Sequence, residues 1–282
     1  MKRGLRWLAG AGLLALATGV GLYAVWAWQH RASLQRTRRL LIYLRAAEDH
    51  AEWQVPARAR CRDAPFIMPT QGYIGYLWGD SFRPGHQHTG LDIFGGTRPG
   101  QTPVYAVYDG LLYRRADWRA SLIIRHDDPL HPGRVIWTYY THLADPQGRS
   151  LIVEAFPPGS EAVPVKAGDL LGYQGNFSGT PGRPVGVHLH ISIVRSGPDG
   201  NFLDERRLNN TLDPSPYFGF PLRVDAVPGD RTPTCPTVWE PFSAQEARFP
   251  SNLGIGYTQS PSRFKIEDGY TQLSPPPPED NP

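Results

Sequence analysis

Cysteine is almost missing from this chain: Cys61 and Cys235 are the only two in 282 residues, and neither stands in a C-x-x-C pair. That spacing excludes a thiolate zinc knuckle and a dithiol redox motif. In a body outside the cytoplasm the two would form a disulfide clamping the ends of the domain, and two unpaired buried thiols are the alternative. H-E-x-x-H is also missing, so the common helical zinc motif is excluded and no glutamate stands beside a histidine pair as a ready base. There is no internal repeat. Between Pro65 and Ser215 no stretch carries clear helical periodicity. From Trp7 to Trp28 there is no charge at all.

That uncharged run accounts for the uneven charge. Lys2, Arg3, Arg6, Arg31, Arg36, Arg38, Arg39 and Arg45 all precede the first acid, Glu48. The other 21 basic residues face all 26 acids, which leaves residues 48–282 near −5. A basic N-terminus on a mildly acidic body points to a membrane-proximal segment and argues against nucleic acid as a partner. At ~1.5 Å per residue, "WLAGAGLLALATGVGLYAVWAW" is long enough to cross a hydrocarbon core of ~30 Å, with Trp7, Trp26 and Trp28 at its ends. Residues 1–32 are therefore expected to be an uncleaved single-span anchor. A cleaved signal peptide with "ALA" at 15–17 is the alternative. Arginines flank both ends, so charge bias does not set the orientation.

Residues 33–60 are expected to form a helical stalk and linker. Leu34, Leu41 and Leu44 approximate helical spacing, and no Gly or Pro interrupts Ser33 to Trp53. From Pro65 the texture changes to short apolar runs punctuated by Gly, Pro, Asn and Asp. "TPVYAVYDGLLYRR", "ASLIIRHDD", "RVIWTYYTHL" and "VHLHISIV" read as strands, which predicts an all-β domain over 61–222. Residues 223–282 are rich in proline and read as an extension, with "SPPPPEDNP" expected to be disordered or polyproline-like.

Seven of the nine histidines fall between His86 and His190, in three clusters: "GHQHTGLDIF", "YYTHLAD" and "VHLHISI". On a strand, His188 and His190 share a face. Burying two imidazoles requires partners for four ring nitrogens, and a metal is the simplest explanation. A catalytic zinc takes three protein ligands and keeps one position open. "HTGLD" offers both His88 and Asp92 as the third ligand, with Gly90 permitting a tight turn. A histidine left off the metal would then serve as base. His126 and His131 are expected to be surface residues, and His86 competes less well than His88 because of the spacing to Asp92.

H-x-x-x-D, then Y-x-H, then H-x-H, in this order, resembles the lysostaphin-type (LytM, β-lytic) zinc metallopeptidases, which cut peptidoglycan peptides. "HTGLDIFGGTRPGQTPVYAVYDG", "VPVKAGDLLGYQGNFSG" and "LDPSPYF" resemble the flanking segments of that family, and the resemblance covers roughly residues 66–220. It implies a mainly antiparallel β fold with a groove, one Zn2+ on His88, Asp92 and His190, and His142 and His188 as catalytic histidines. Where the family commonly continues with an acidic residue after its H-x-H strand, this chain has Ile191 and Ser192, which puts the support of the ligand imidazole in question.

The resemblance further implies a membrane-anchored zinc endopeptidase acting on stem or cross-bridge peptides of peptidoglycan. The N-terminus would be cytoplasmic and the catalytic domain extracytoplasmic. A catalytically silent scaffold that binds wall, or a protein regulator of another hydrolase, is the alternative. A structural zinc domain fits less well, because neither cysteine lies near the motifs.

Overall fold

The computed structural model describes residues 2–83 and 85–242. Two helices come first, α1 (Lys2–Gln29) and α2 (Arg31–Arg45), followed by a 3-10 segment over Glu48–Trp53. Twelve strands follow among the described residues: β1 (Gln54–Val55), β2 (Ala59–Cys61), β3 (Gly72–Tyr76), β4 (Leu91–Phe94), β5 (Pro103–Tyr105), β6 (Gly110–Tyr113), β7 (Leu122–Asp127), β8 (Val135–Thr141), β9 (Val163–Val165), β10 (Leu170–Tyr173), β11 (Leu189–Arg195) and β12 (Trp239–Pro241). A single turn of helix, α3 (Ser215–Phe218), precedes the last of them.

Eight strands form one sheet in the order β1-β3-β4-β11-β8-β7-β6-β9, with every pairing antiparallel. All four expected strand regions are present. The segment "TPVYAVYDGLLYRR" divides into β5 and β6 around a turn, and β5 leaves the main sheet to pair with β10.

Alternation along the central strands separates two buried faces. Ile136 and Tyr140 of β8, with Leu189, Ile191 and Ile193 of β11, enter the larger core together with Ile74, Ile93, Leu122 and Ile124. Trp137, Tyr139 and Val194 point the other way and pack with Tyr113, Trp118, Ile123 and Phe202. His190 and Ser192 lie on this second face. His126 differs from expectation. It is fully buried, because it continues the core-facing alternation of Leu122 and Ile124. Its Nδ1–H donates to the Asp109 carbonyl at 2.8 Å, and Thr138 Oγ1 lies 2.8 Å from Nε2. His131, in its turn, is exposed as expected.

The segment expected to be a spacer lies against the domain. α2 ends at Arg45, eight residues before Trp53, and buries Ser33, Arg36, Leu40 and Tyr43; Leu41 and Leu44 remain exposed. Leu40 and Tyr43 pack with Tyr73 and Phe94. Arg36 is wholly buried in an ion pair with Asp80, 2.9 Å from Nε to Oδ2. The hydrophobic pattern missed this face because a polar contact defines half of it.

Cys61 and Cys235 form a disulfide that closes a loop of 174 residues. Beside it β12 pairs with β2, so residues 223–242 of the C-terminal extension fold back along the domain. The remainder of the extension, including "SPPPPEDNP", lies outside the described residues. Among the described residues, α1 alone is long and apolar enough to cross a membrane, over Gly12–Gln29, and its side chains are exposed from Gly12 to Val25. A signal sequence meets the same criteria.

Candidate metal centre and its histidines

Register brings the site together. In the antiparallel pair β11–β4, His190 lies directly opposite Asp92, so the two side chains leave the same face of the sheet. On the other side of β11, His190 pairs with Thr141, and His142 follows as β8 ends. His188 stands just before β11, where its backbone N–H donates to the Gly175 carbonyl at 3.1 Å. His88 comes from the loop before β4. The chain approaches so closely there that a β-carbon on Gly90 would meet the Ile191 carbonyl oxygen at 2.2 Å. Only glycine permits that approach.

His88, Asp92 and His190 converge. His88 Nε2 is 3.0 Å from Asp92 Oδ1 and 3.0 Å from His190 Nδ1, and His190 Nδ1 is 2.8 Å from Asp92 Oδ1. The three side chains are 5%, 7% and 9% exposed as residues, so they sit just below the surface. Their far sides are held. His88 Nδ1–H donates to the Leu77 carbonyl at 2.9 Å, which turns Nε2 toward the other two groups. Ser192 Oγ, 2.8 Å from His190 Nε2, can take that N–H and free Nδ1 in the same way. Ser192 thus answers the question raised by the missing acidic residue: a hydroxyl on the same strand face occupies the supporting position.

The other two histidines line up beside this triad. His142 and His188 have ring centroids 4.4 Å apart, and His188 Nε2 is 3.6 Å from Asp92 Oδ1. His142 Nδ1–H donates to the Phe177 carbonyl at 2.8 Å, and His188 Nδ1–H donates to the Gly186 carbonyl at 2.7 Å. Each therefore keeps Nε2 as its basic atom. His142 has φ +69°, a left-handed conformation uncommon for a residue with a side chain, and one that clusters at functional sites. The loop over 174–177 joins the pair, since Asn176 N–H and Phe177 N–H both donate to the Ala144 carbonyl.

Electrostatics separate the groups. Burial alone would raise Asp92, yet the fields of His88 and His188 and hydrogen bonds from His190 and His88 hold it well below the usual carboxylate range. Burial works against charge on His88, but the Asp92 carboxylate outweighs it and raises the imidazole. His188 is lowered by burial, which Asp92 offsets only in part. His142 is lowered to about 3 by burial and then by the neighbouring His188. Positive charge is thus favoured beside Asp92, while His142 and His188 are neutral bases near pH 7.

The donor set fits zinc. Two imidazole nitrogens and one carboxylate oxygen, 2.8–3.0 Å apart, are close to the edge of about 3.3 Å that bonds of 2.0–2.1 Å give in a tetrahedron. His86 is not part of the cluster: its ring lies against that of Phe82, 4.0 Å between centroids and tilted by 37°, and 6.5 Å from that of His88.

Sequence reasoning did not find Phe94, which stacks on His188 at 4.8 Å with planes 20° apart. Its signal was its place two residues after Asp92, on the same strand face. The Leu77 and Phe177 carbonyls had no signal in the sequence.

No protein-family model matches the chain, and no curated protein matches it. Fourteen solved chains do. One, described as a candidate glycyl-glycine endopeptidase LytM from Ruminococcus gnavus ATCC 29149, is 26% identical over 46% of this chain and 45% of that one, with a TM-score of 0.32. The antimicrobial peptidase lysostaphin from Staphylococcus simulans is 18% identical over 58% of this chain and 55% of that one, at 0.34. A mutant catalytic domain of the prophage-encoded M23 protein EnpA from Enterococcus faecalis is 21% identical over 53% of this chain and 96% of that one, at 0.31. The chain spans about half the length of the first two. These are the same lysostaphin-type proteins that the motifs resemble. With these three TM-scores below 0.5, the functional reading rests on the residues of the site.

Proposed function

We propose that the chain is a membrane-anchored zinc metalloendopeptidase that hydrolyses peptide bonds in peptidoglycan stem or cross-bridge peptides. The observation that carries the reading is the convergence of His88 Nε2, His190 Nδ1 and Asp92 Oδ1, with two further imidazoles at hand whose Nδ1–H groups are already engaged. His88, Asp92 and His190 would hold one Zn2+. Zinc bound there supplies a Lewis acid for a scissile carbonyl and brings the pKa of water to about 7. His142 and His188 do the proton work. Each offers a neutral Nε2 that accepts a proton from the attacking water and returns it to the leaving amine, while the Phe177 and Gly186 carbonyls hold the rings in place.

The order of the motifs in this chain, H-x-x-x-D, then Y-x-H, then H-x-H, resembles that of the lysostaphin-type peptidases. That supports a peptide of the cell wall as substrate, an extracytoplasmic catalytic domain and a cytoplasmic N-terminus. The test is metal dependence on purified peptidoglycan. Chelation with 1,10-phenanthroline should abolish release of new amino groups, and one equivalent of Zn2+ should restore it. Release that is indifferent to chelation rules the reading out.

A further inference from the structure

We propose that Arg36 and Asp80 are positioning residues for His88, so that α2, the helix one residue from the apolar segment, sets the aim of a metal ligand. The proposal rests on the reading of His88 as a zinc ligand.

The chain of contacts is short and buried throughout. His88 is oriented by the Leu77 carbonyl, which accepts His88 Nδ1–H at 2.9 Å. The same carbonyl accepts the Asp80 backbone N–H at 3.1 Å, closing a turn over 77–80. That turn also grips the backbone of His88 from both sides. His88 N–H donates to the Asp80 carbonyl at 2.7 Å, and Gly79 N–H donates to the His88 carbonyl at 2.8 Å. The hydrogen bonds to Nδ1, N–H and the carbonyl of His88 thus all come from residues 77–80.

The Asp80 carboxylate ties that turn to α2, while Trp78 anchors its other side through the Leu222 carbonyl at 3.1 Å and the Val224 N–H at 3.0 Å. Oδ2 accepts the Leu77 backbone N–H at 2.7 Å and Arg36 Nε at 2.9 Å, while Oδ1 accepts the Ser33 hydroxyl at 2.7 Å. Arg36 and Asp80 are both 0% exposed. A carboxylate so placed is tolerated only with a matched cation and filled lone pairs, and α2 supplies both through Arg36 and Ser33. Without Arg36 the carboxylate must take up a proton or water, and its hold on the Leu77 N–H weakens. The Leu77 carbonyl then loses its direction. Groups that orient a ligand imidazole in this way are typically worth 10- to 100-fold in metal affinity.

α2 reaches the opposite wall of the site as well. Leu40 packs in one cluster with Phe94, the ring stacked on His188, and Thr37 Oγ1 lies 3.2 Å from the hydroxyl of Tyr76, whose ring meets that of His88 edge-on. On its outer side α2 is strapped by the C-terminal segment, where Arg39 donates to the Asp230 carbonyl and to Thr232 Oγ1 at 3.0 Å each.

The experiment is zinc affinity of the full chain in detergent micelles, measured by competition with a chromophoric chelator. Arg36→Met is compared with the wild type and with Val165→Ala. Val165 is a buried residue of β9, at the far end of the sheet from α2, and its truncation supplies a stability control. The expected result is a 10- to 100-fold weaker zinc affinity for Arg36→Met and less than a threefold change for Val165→Ala. If Arg36→Met does not fold, Ser33→Ala, which removes one neutral hydroxyl from the same carboxylate, is expected to weaken zinc at least threefold. A folded Arg36→Met within threefold of the wild type overturns the proposal, as does a Val165→Ala that loses as much, or an unchanged Ser33→Ala. A wild-type chain that binds no stoichiometric zinc instead overturns the metal-site reading itself, and this proposal with it.

Discussion

His142 holds its ring at the site from a left-handed backbone, with Nδ1–H spent on the Phe177 carbonyl. Replacing it by Ala should therefore leave zinc content at one per chain while turnover falls by roughly 10²- to 10⁴-fold, the range of a general base. Asp92→Ala and His190→Ala should lose zinc altogether, as elemental analysis after dialysis would read. Retained near-wild-type turnover in His142→Ala would refute the role given to it. A second residue-scale expectation concerns His126, which is outside the candidate site. Burial lowers it to about 4 despite the Asp109 carbonyl, so the folded protein holds it neutral. The unfolded chain takes up its proton near pH 6.5, so the contribution is complete above that pH and is lost as pH falls from about 6.5 to about 4. The shift corresponds to on the order of 3 kcal/mol. Thermal unfolding with chelator present should show that slope, and His126→Gln should flatten it. At this scale the five residues singled out in the sequence, His88, Asp92, His142, His188 and His190, lie together. Sequence reasoning misplaced His126 on the surface, because a histidine at a strand end looks the same whether its alternation continues inward or outward.

The strands were legible because β-branched and aromatic residues alternate between clear turn signals. β8 and β11 follow their quoted segments to within a residue or two. The face of α2 was not legible. Hydrophobic spacing selected Leu34, Leu41 and Leu44, whereas the buried set is Ser33, Arg36, Leu40 and Tyr43, with Arg36 held by an ion pair and Ser33 by a hydrogen bond to the same Asp80. Nor could two isolated cysteines disclose their pairing. The disulfide joins β2 to the segment that leads into β12, and reducing it frees a loop of 174 residues. Reduction should lower stability by about 2–4 kcal/mol and expose residues 224–242 to protease. Unchanged melting and digestion under reductant would show that the strap is held by packing alone. The loop over 174–177 gives another element-scale test. A β-carbon on Gly175 would meet the Ala144 and His142 carbonyl oxygens at 2.1 and 2.4 Å. Gly175→Ala should thus push apart the two segments that carry His142 and His188, reducing turnover with zinc retained.

For the whole molecule, the arrangement ties the face that carries the five residues closely to the apolar N-terminal helix. α2 begins two residues after α1 ends and contributes buried side chains to the wall behind the site. The full chain should sediment with membranes and residues 33–282 should not, and protease added outside the cell should reach the domain. The central claim, that the five residues form a peptide-cutting site acting on the cell wall, is tested most directly by mass spectrometry of purified peptidoglycan digested with the full chain beside its His142→Ala counterpart. The account predicts new peptide termini, all at one type of bond, made by the wild type alone. Identical products from the two proteins would contradict it.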